Sequence, residues 1–345
     1  MYEQKCYFGS ANSYGGFVSN FNKIFAASKV DKLFIIKGGP GTGKSTLMKK
    51  IHKRYAEGFD TTVLLCSSDP ESFDGVLISD GRNTVAIVDG TAPHVVDPKF
   101  PGAIEEIVNL ADAFDLQILA TRKNDIVGLT ENKKSAYDNA YAALQTAGGI
   151  HRYIKQILSR YECYIVAEEL INSHLILSRW AEKSPEKSDF MVGAFSKNGY
   201  KILNTSPTDK RIVRIFNDGI LGYIITSKIV DLLKKNGIYF KLFSSAFSED
   251  LIDLVETDEA IYVISSSKSV SIDSMELYKY IEDYTEVKSI YDYFIEGARR
   301  SLAVASEYHF MLENIYSGAI DFSENESKYN YMVNTIDDIL INNVD

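Results

Sequence analysis

Short apolar runs alternate with an amphipathic segment in the first hundred residues. Apolar residues dominate 32–37, 61–66 and 85–88, and runs of this length are typical of buried strands. After the first run, residues 45–52 carry their apolar side chains at helical spacing. Strands that alternate with helices predict an α/β domain of three α/β/α layers, in which right-handed crossovers connect a parallel sheet.

The pattern changes to helical spacing between about residues 104 and 177. A Gly-Gly pair at 148–149 interrupts it, so this region predicts a helical hairpin appended to the first domain. The polar, proline-containing stretch 183–188 then predicts a domain boundary. We therefore expect a first domain over residues 1–182 and a second domain, with C-terminal helices, over residues 189–345.

The second half repeats the hydrophobic pattern of the first. Four matches occur in the same order along the two halves: 7–10 with 191–194, 32–46 with 211–225, 66–68 with 243–245, and 85–89 with 261–265. A helical region ends both halves, the second from about Val287 to Ser317. Matches in a conserved order predict a duplicated P-loop-type domain.

Length and composition agree with two compact domains. The chain has 345 residues, and roughly 150 residues per domain is the usual expectation. Hydrophobic residues make up 45% and charged residues 24%, as in soluble globular proteins. The 37 basic and 47 acidic residues give a net charge of −10, which repels polyanions, so we expect no nucleic-acid partner.

Cysteine content and hydropathy indicate a cytoplasmic protein. The three cysteines at positions 6, 66 and 163 are too few and too widely spaced for a disulfide framework or a CxxC metal site. The N-terminus lacks the basic start and apolar run of a signal peptide. No stretch approaches the ~18 apolar residues of a membrane span, so we expect no membrane partner.

The strongest chemical motif is GxxxxGK[ST], which follows the first strand and opens the first helix. Its glycines let the chain curl tightly, so that backbone N–H groups and the helix N-terminus face a phosphate chain. Lys44 is expected to reach the β- and γ-phosphates, and the Ser45 hydroxyl to bind Mg²⁺. The motif predicts binding of ATP with Mg²⁺, through Gly38, Gly39, Pro40, Gly41, Thr42, Gly43, Lys44, Ser45 and Thr46.

Asp89 ends the apolar strand 85–88, where P-loop proteins place the acid that holds the metal's water shell. An ordinary Asp-Gly turn at the strand end is the alternative. No glutamate follows Asp89, so the group that activates water is sought in nearby loops. The catalytic candidates there are Asp69 and His94, with Asp74 and Asp97 as further choices. Asp69 before Pro70 equally suits a helix-capping turn, and a lone histidine often has a structural role.

A cation that stabilises charge on the γ-phosphate is also expected. The arginines available for this role are Arg82, Arg122, Arg152 and Arg160, the last three on the predicted hairpin. The sequence Arg-Lys-Asn-Asp at 122–125 is one substitution from the [NT]KxD motif with which GTPases recognise guanine. It lies in a helical pattern, and no DxxG follows the third strand. We therefore expect ATP to be preferred over GTP.

The second half keeps the predicted strands and loses the phosphate chemistry. In the alignment Lys44 becomes Tyr223, Ser45 becomes Ile224, and Asp89 becomes Ser265. The second half is therefore predicted to be a degenerate copy, which leaves one nucleotide site in each chain.

The P-loop with Pro40, the segment 89–94 (Asp-Gly-Thr-Ala-Pro-His), Asp97-Pro98 and the two-half plan resemble a bacterial family of tandem P-loop proteins. That family is usually labelled ATPase or nucleotide-kinase-like, so the resemblance implies an Mg-dependent ATPase. A second half in that family tends to carry its own P-loop, and here the segment 217–224 stands in its place. A small-molecule or nucleotide kinase is one alternative, and a non-catalytic ATP-dependent switch that binds a partner protein is another. A homo-oligomer is also compatible with the sequence.

Overall fold

The structure is a computed structural model that describes residues 4–158, 161–176, 184–203, 209–267 and 269–342. The strands are β1 (Gln4–Phe8), β2 (Ser10–Ser13), β3 (Gly16–Ser19), β4 (Lys32–Lys37), β5 (Asp60–Leu65), β6 (Phe73–Ser79), β7 (Thr84–Asp89), β8 (Glu105–Asn109), β9 (Glu186–Lys187), β10 (Gly193–Ser196), β11 (Gly199–Ile202), β12 (Arg211–Phe216), β13 (Lys241–Ser244), β14 (Ile252–Glu256) and β15 (Ala260–Ser265). The α-helices are α1 (Phe21–Ile24), α2 (Lys44–Tyr55), α3 (Leu116–Thr121), α4 (Lys123–Leu158), α5 (Tyr161–Asn172), α6 (Leu221–Lys235), α7 (Tyr284–Ser317) and α8 (Ser323–Asp337). The chain is thus an α/β protein, as predicted.

Internal contacts divide the chain into two compact units. Unit 1 contains Met1–Ser10, Ser19–Asn139 and Ser301–Asp345, and unit 2 contains Ala11–Val18 and Ala140–Arg300. This division differs from the expected single boundary at 183–188, of which Lys183 lies outside the described residues. The chain changes unit inside β2, β3, α4 and α7, and not at a polar linker.

The six-stranded sheet of unit 1 has the order β1-β5-β6-β7-β4-β8. All of its strands run parallel except β6, which pairs antiparallel with both β5 and β7. The prediction of a parallel sheet is therefore wrong at β6, a strand that we did not expect. Its connections to β5 and β7 are only short loops, whereas a parallel connection needs a crossover of a dozen or more residues.

The core of unit 1 lies between this sheet and helices from both ends of the sequence. Leu47, Met48 and Ile51 of α2 pack with Phe34, Ile36, Val85 and Ile87 of the sheet. Met332 and Ile336 of α8 are fully buried in the same core. The C-terminal helix α8 therefore belongs to unit 1, although we expected it in the second domain.

The predicted hairpin over residues 104–177 is only partly helical. Residues 105–109 form β8, which pairs with β4, and the long helices begin later, at α4 and α5. The glycine pair at 148–149 does not break α4. A Cβ atom on Gly148 would lie 2.6 Å from the Tyr14 ring, so Gly148 lets this ring pack directly against the helix backbone.

The five-stranded sheet of unit 2 has the order β9-β13-β14-β15-β12. Only β14 is antiparallel to its neighbours, so strand order and directions match β1-β5-β6-β7-β4 in unit 1. Lys32 pairs with Val85 in unit 1, and Arg211 pairs with Ala260 in unit 2. This register places Ile264, not Ser265, at the position of Asp89, which corrects the sequence alignment by one residue.

Among the described residues, no helix combines the length and the apolar character needed to cross a membrane.

Candidate functional site

Residues 38–43 of the predicted P-loop connect β4 to α2 at the carboxyl end of β4. Gly41 has φ 69° and Gly43 has φ 84°, both in the left-handed region that favours glycine. Helix α2 then begins at Lys44. The loop has therefore curled, and the first N–H groups of α2 lie at the sheet edge where α/β proteins bind ligands.

Lys44 lies within this curl. Its Nζ donates hydrogen bonds to the carbonyl oxygens of Gly38 and Gly39, at 3.1 and 2.8 Å, and lies 3.7 Å from Oδ2 of Asp89. The Lys44 and Asp89 side chains are only 12% and 15% exposed. Thr42 Oγ1 also donates to the Gly39 carbonyl at 2.9 Å, which fixes the loop from inside. The Lys44 ammonium group thus lies where a phosphate group can replace the loop carbonyls as its partner.

Asp89 ends β7, and Ile36 of β4 is its neighbour in the sheet. Its Oδ1 accepts hydrogen bonds from the N–H and Oγ1 of Thr91, so the side chain is held in place. The Ser45 hydroxyl oxygen accepts from the N–H of Phe73 at 2.9 Å and keeps a second lone pair for a metal ion. These oxygens suit Mg²⁺, which takes few protein ligands and otherwise binds phosphates and water.

The part of the chain that the structure describes holds no larger cluster of metal-ligating side chains. Within the described residues, no group of three or more His, Cys, Asp or Glu side chains could hold a metal ion.

Thr46, the last residue of the GxxxxGK[ST] motif region, is exposed on the first turn of α2.

A buried carboxyl group faces Asp89 from the neighbouring strand. Asp74 of β6 lies one residue beyond the Gly75–Val88 pair and is only 5% exposed. Burial and the charge of Asp89 raise the pKa of Asp74 to about 8. Asp74 was expected in a loop, and its place in β6 brings it beside Asp89 at the carboxyl end of β7.

His94 packs against this carboxyl group. Its Nε2 lies 3.3 Å from Asp74 Oδ2, and its ring stacks on Phe21 at 5.1 Å between ring centroids. Burial lowers the pKa of His94 to about 4. The raised pKa of Asp74 and the lowered pKa of His94 have the same main cause, because burial favours the uncharged form of each side chain.

The other acidic candidates have structural partners at the surface. Asp69 is exposed, and its carboxylate accepts hydrogen bonds from Ser72 Oγ at 2.7 Å and from the N–H of Glu71. Asp69 therefore stabilises a turn, but strand β6 and not a helix follows it, so the helix-capping alternative is wrong. Asp97 is 72% exposed and pairs with Lys37 Nζ at 2.9 Å.

Residues near the C-terminus cover the P-loop, a feature that the sequence did not predict. We call residues 301–342 the C-terminal segment. Its Tyr316 ring lies 3.2 Å from the position of a Cβ atom on Gly39, and Asn325 Nδ2 donates to the Thr42 carbonyl at 3.0 Å. The Glu313 backbone packs on Gly41. More than 250 residues separate these partners, so no local pattern could have revealed the contact.

Gly41→Ala is expected to destabilise unit 1 by about 2–4 kcal/mol. A Cβ atom there would lie 2.7 Å from the Glu313 carbonyl oxygen, and the backbone at φ 69° adds strain. Gly102→Ala is the matched control, because Gly102 has φ 81° but open space around it. Urea denaturation measures both variants. Equal losses of unfolding free energy would show that the contact with Glu313 contributes nothing.

The arginine candidates do not reach the P-loop within the described part of unit 1. Arg82 lies in the turn before β7, and the P-loop lies at the other end of that strand, roughly 16 Å away. Arg122 is exposed and pairs with Asp125 at 2.7 Å. Arg152 belongs to unit 2, and Arg160 lies outside the described residues.

In the corresponding loop of unit 2, residues 217–222, side-chain oxygens accept hydrogen bonds from the backbone N–H groups of the same loop. Asn217 Oδ1 accepts from the N–H groups of Gly219 and Gly222, both at 3.1 Å. Asp218 Oδ1 accepts from those of Ile220 and Leu221. Side-chain oxygens thus accept the hydrogen bonds of backbone N–H groups that, in a P-loop, would donate to phosphate oxygens.

Tyrosine replaces the P-loop lysine in unit 2. The Tyr223 hydroxyl is buried beside Asp253, which is 0% exposed and corresponds to Asp74 in the strand register. Tyr200 donates to Asp253 at 2.6 Å and contacts Ser245 at 2.7 Å. This closed hydrogen-bonded cluster leaves the position of Lys44 without a cation.

Comparison of the chain with known protein families, with curated proteins and with solved structures finds no match. What the site can bind therefore follows from its own residues and their geometry.

Proposed function

We propose that unit 1 binds ATP with Mg²⁺ at the P-loop and hydrolyses the γ-phosphate. The observation that carries this proposal is the meeting of Lys44, Ser45 and Asp89 at the carboxyl ends of the adjacent strands β4 and β7. A lysine, a hydroxyl and a carboxylate in this order supply a phosphate ligand, a metal ligand and a partner for the metal's water shell.

The loop glycines and Lys44 have different roles in binding the phosphates of ATP. Gly41 and Gly43 keep the loop curled, so that its N–H groups and the start of α2 face one anion. Lys44 exchanges its bonds to the Gly38 and Gly39 carbonyls for bonds to phosphate oxygens. Bound Mg²⁺ would neutralise charge that develops on the phosphates.

We also propose that the two units share an origin by duplication and that only unit 1 kept a nucleotide site. The shared strand order, the shared antiparallel strand and the equivalent buried acids Asp74 and Asp253 support the duplication. The self-bonded loop at 217–222 and Tyr223 support the loss of nucleotide binding in unit 2.

Asp89→Asn is expected to lower phosphate release from ATP about tenfold at saturating ATP, with a smaller effect on ATP affinity. Asparagine keeps an acceptor for Thr91 but loses the charge that faces Lys44 and the metal. Asp97→Asn is the control, because Asp97 follows the same strand and is exposed. Turnover that is unchanged in Asp89→Asn would contradict the metal role of Asp89.

A further inference from the structure

Hydrolysis at the γ-phosphate calls for a cation besides the P-loop lysine, and no described arginine of unit 1 reaches the loop. A lysine meets the requirement. Lys133 lies on α4, within the part of this helix that belongs to unit 1.

The side of α4 that carries Lys133 is turned towards the protein. Ile126, Leu129, Lys133, Ala136 and Tyr137 recur at helical spacing and are all partly or fully covered, while their neighbours on the helix are mostly exposed. Tyr137, one turn beyond Lys133, has its hydroxyl 3.3 Å from Ser68 Oγ in the loop that follows β5. Strands β4, β5 and β7 end at this edge, so Lys133 faces the side of the sheet that holds the P-loop.

The electrostatic surroundings of Lys133 are those of a cation that lacks a close counter-charge. Burial and the charge of Lys44 lower the pKa of Lys133, and Glu313 offsets this only in part. The Glu313 carboxylate lies 3.5 Å from His309 Nε2. Within the described residues, Lys133 itself makes no ion pair closer than 4 Å. Two ammonium groups that are both partly or largely covered and that repel each other favour an anion between them.

We propose that Lys133 binds the terminal phosphate of ATP and so makes the site selective for the triphosphate over the diphosphate. The proposal rests on the proposed function, because it requires the nucleotide at the P-loop. The loop N–H groups contact phosphates that ATP and ADP share, and Lys44 contacts both a shared phosphate and the γ-phosphate, whereas Lys133 contacts only the group that ATP has in addition. Lys133 thereby fills the role that the sequence analysis sought among the arginines.

The test compares the affinities for ATP and ADP, each with Mg²⁺, by calorimetric titration of the full chain. Lys133→Met keeps an unbranched apolar side chain on the covered helix face and removes the charge, and Lys133→Gln is a second neutral variant. Lys134→Met is the matched control, because Lys134 is 76% exposed and pairs with Asp138 on the same helix. We expect both Lys133 variants to weaken ATP binding about tenfold and ADP binding less than about twofold. Lys133→Arg should restore the preference for ATP.

Each other outcome has a distinct meaning. An unchanged ratio of ATP to ADP affinity in both neutral variants would overturn the role of Lys133 and leave the proposed function intact. Equal weakening of both nucleotides would overturn it as well, since a contact to the terminal phosphate cannot affect ADP. Failure of the wild-type chain to bind either nucleotide would remove the proposed function itself, and the role of Lys133 with it.

Discussion

Lys44→Ala is expected to weaken ATP binding about 100-fold and to reduce phosphate release to background. A lysine that bonds phosphate oxygens directly makes charge-assisted hydrogen bonds, each worth about 1.5–3 kcal/mol, and alanine leaves no substitute. In the nucleotide-free fold Lys44 bonds the loop carbonyls and lies 3.7 Å from Asp89 Oδ2, so its removal also takes the counter-charge from a largely buried carboxylate. Titration with a fluorescent ATP analogue measures the affinity.

Lys53→Ala is the control for this variant. Lys53 lies on the same helix as Lys44, is exposed, and lies more than two turns from the P-loop. Its removal changes the net charge equally, so any general electrostatic attraction of ATP falls by the same amount. Similar affinities of the two variants for ATP would contradict a direct contact between Lys44 and phosphate.

Asp253→Asn is expected to flatten the pH dependence of stability. Burial raises the pKa of Asp253 to about 7, whereas the ordinary pKa of an aspartate, as in the unfolded chain, is 3.8. Between these values the folded chain holds a proton that the unfolded chain has lost. The free energy of unfolding therefore falls as pH rises, by about 1.4 kcal/mol per pH unit for one proton. Asparagine has no such proton.

Urea denaturation at pH values from about 4.5 to about 7.5 tests this pH dependence. Over that interval the unfolding free energy of Asp253→Asn should rise by on the order of 2–3 kcal/mol relative to that of the wild type. Asp74 contributes a slope of the same sign to both proteins, so it cancels in the comparison. Asp258→Asn, at an exposed position of unit 2, is the control. Parallel pH profiles for wild type and Asp253→Asn would show that Asp253 is ionised in the folded chain.

The sequence predicted well those parts of the fold whose causes are local. The strand at 32–37, the tight glycine turn after it and the helix that begins near Lys44 are confirmed, because neighbouring residues determine turns and helical spacing. The strand β6 was missed, because glycine and aspartate interrupt its apolar pattern and a hairpin partner supplies the rest of its stability. The sequence alignment matched Asp89 to Ser265 instead of Ile264, because the pairing between strands, which sets this register, cannot be read from local residues.

Parts of the site that depend on distant residues were out of reach of the sequence. Nothing near Asn325 or Glu313 indicates that these residues contact the P-loop. The lysine that we propose as a phosphate ligand, Lys133, does have a local signal that the sequence analysis did not use, because a lysine among apolar residues on one helix face is unusual. The oxygens of Asn217 and Asp218 that bond the loop of unit 2 explain, in the structure, why a chain can keep this fold without a glycine-rich motif.

The central claim is that each chain binds one ATP, through the P-loop of unit 1. Calorimetric titration of the full chain with ATP and Mg²⁺ tests it most directly, because the titration gives stoichiometry and affinity together. The account predicts one site per chain, lost in Lys44→Ala and kept in Lys53→Ala. Two sites per chain, or binding that survives in Lys44→Ala, would contradict it.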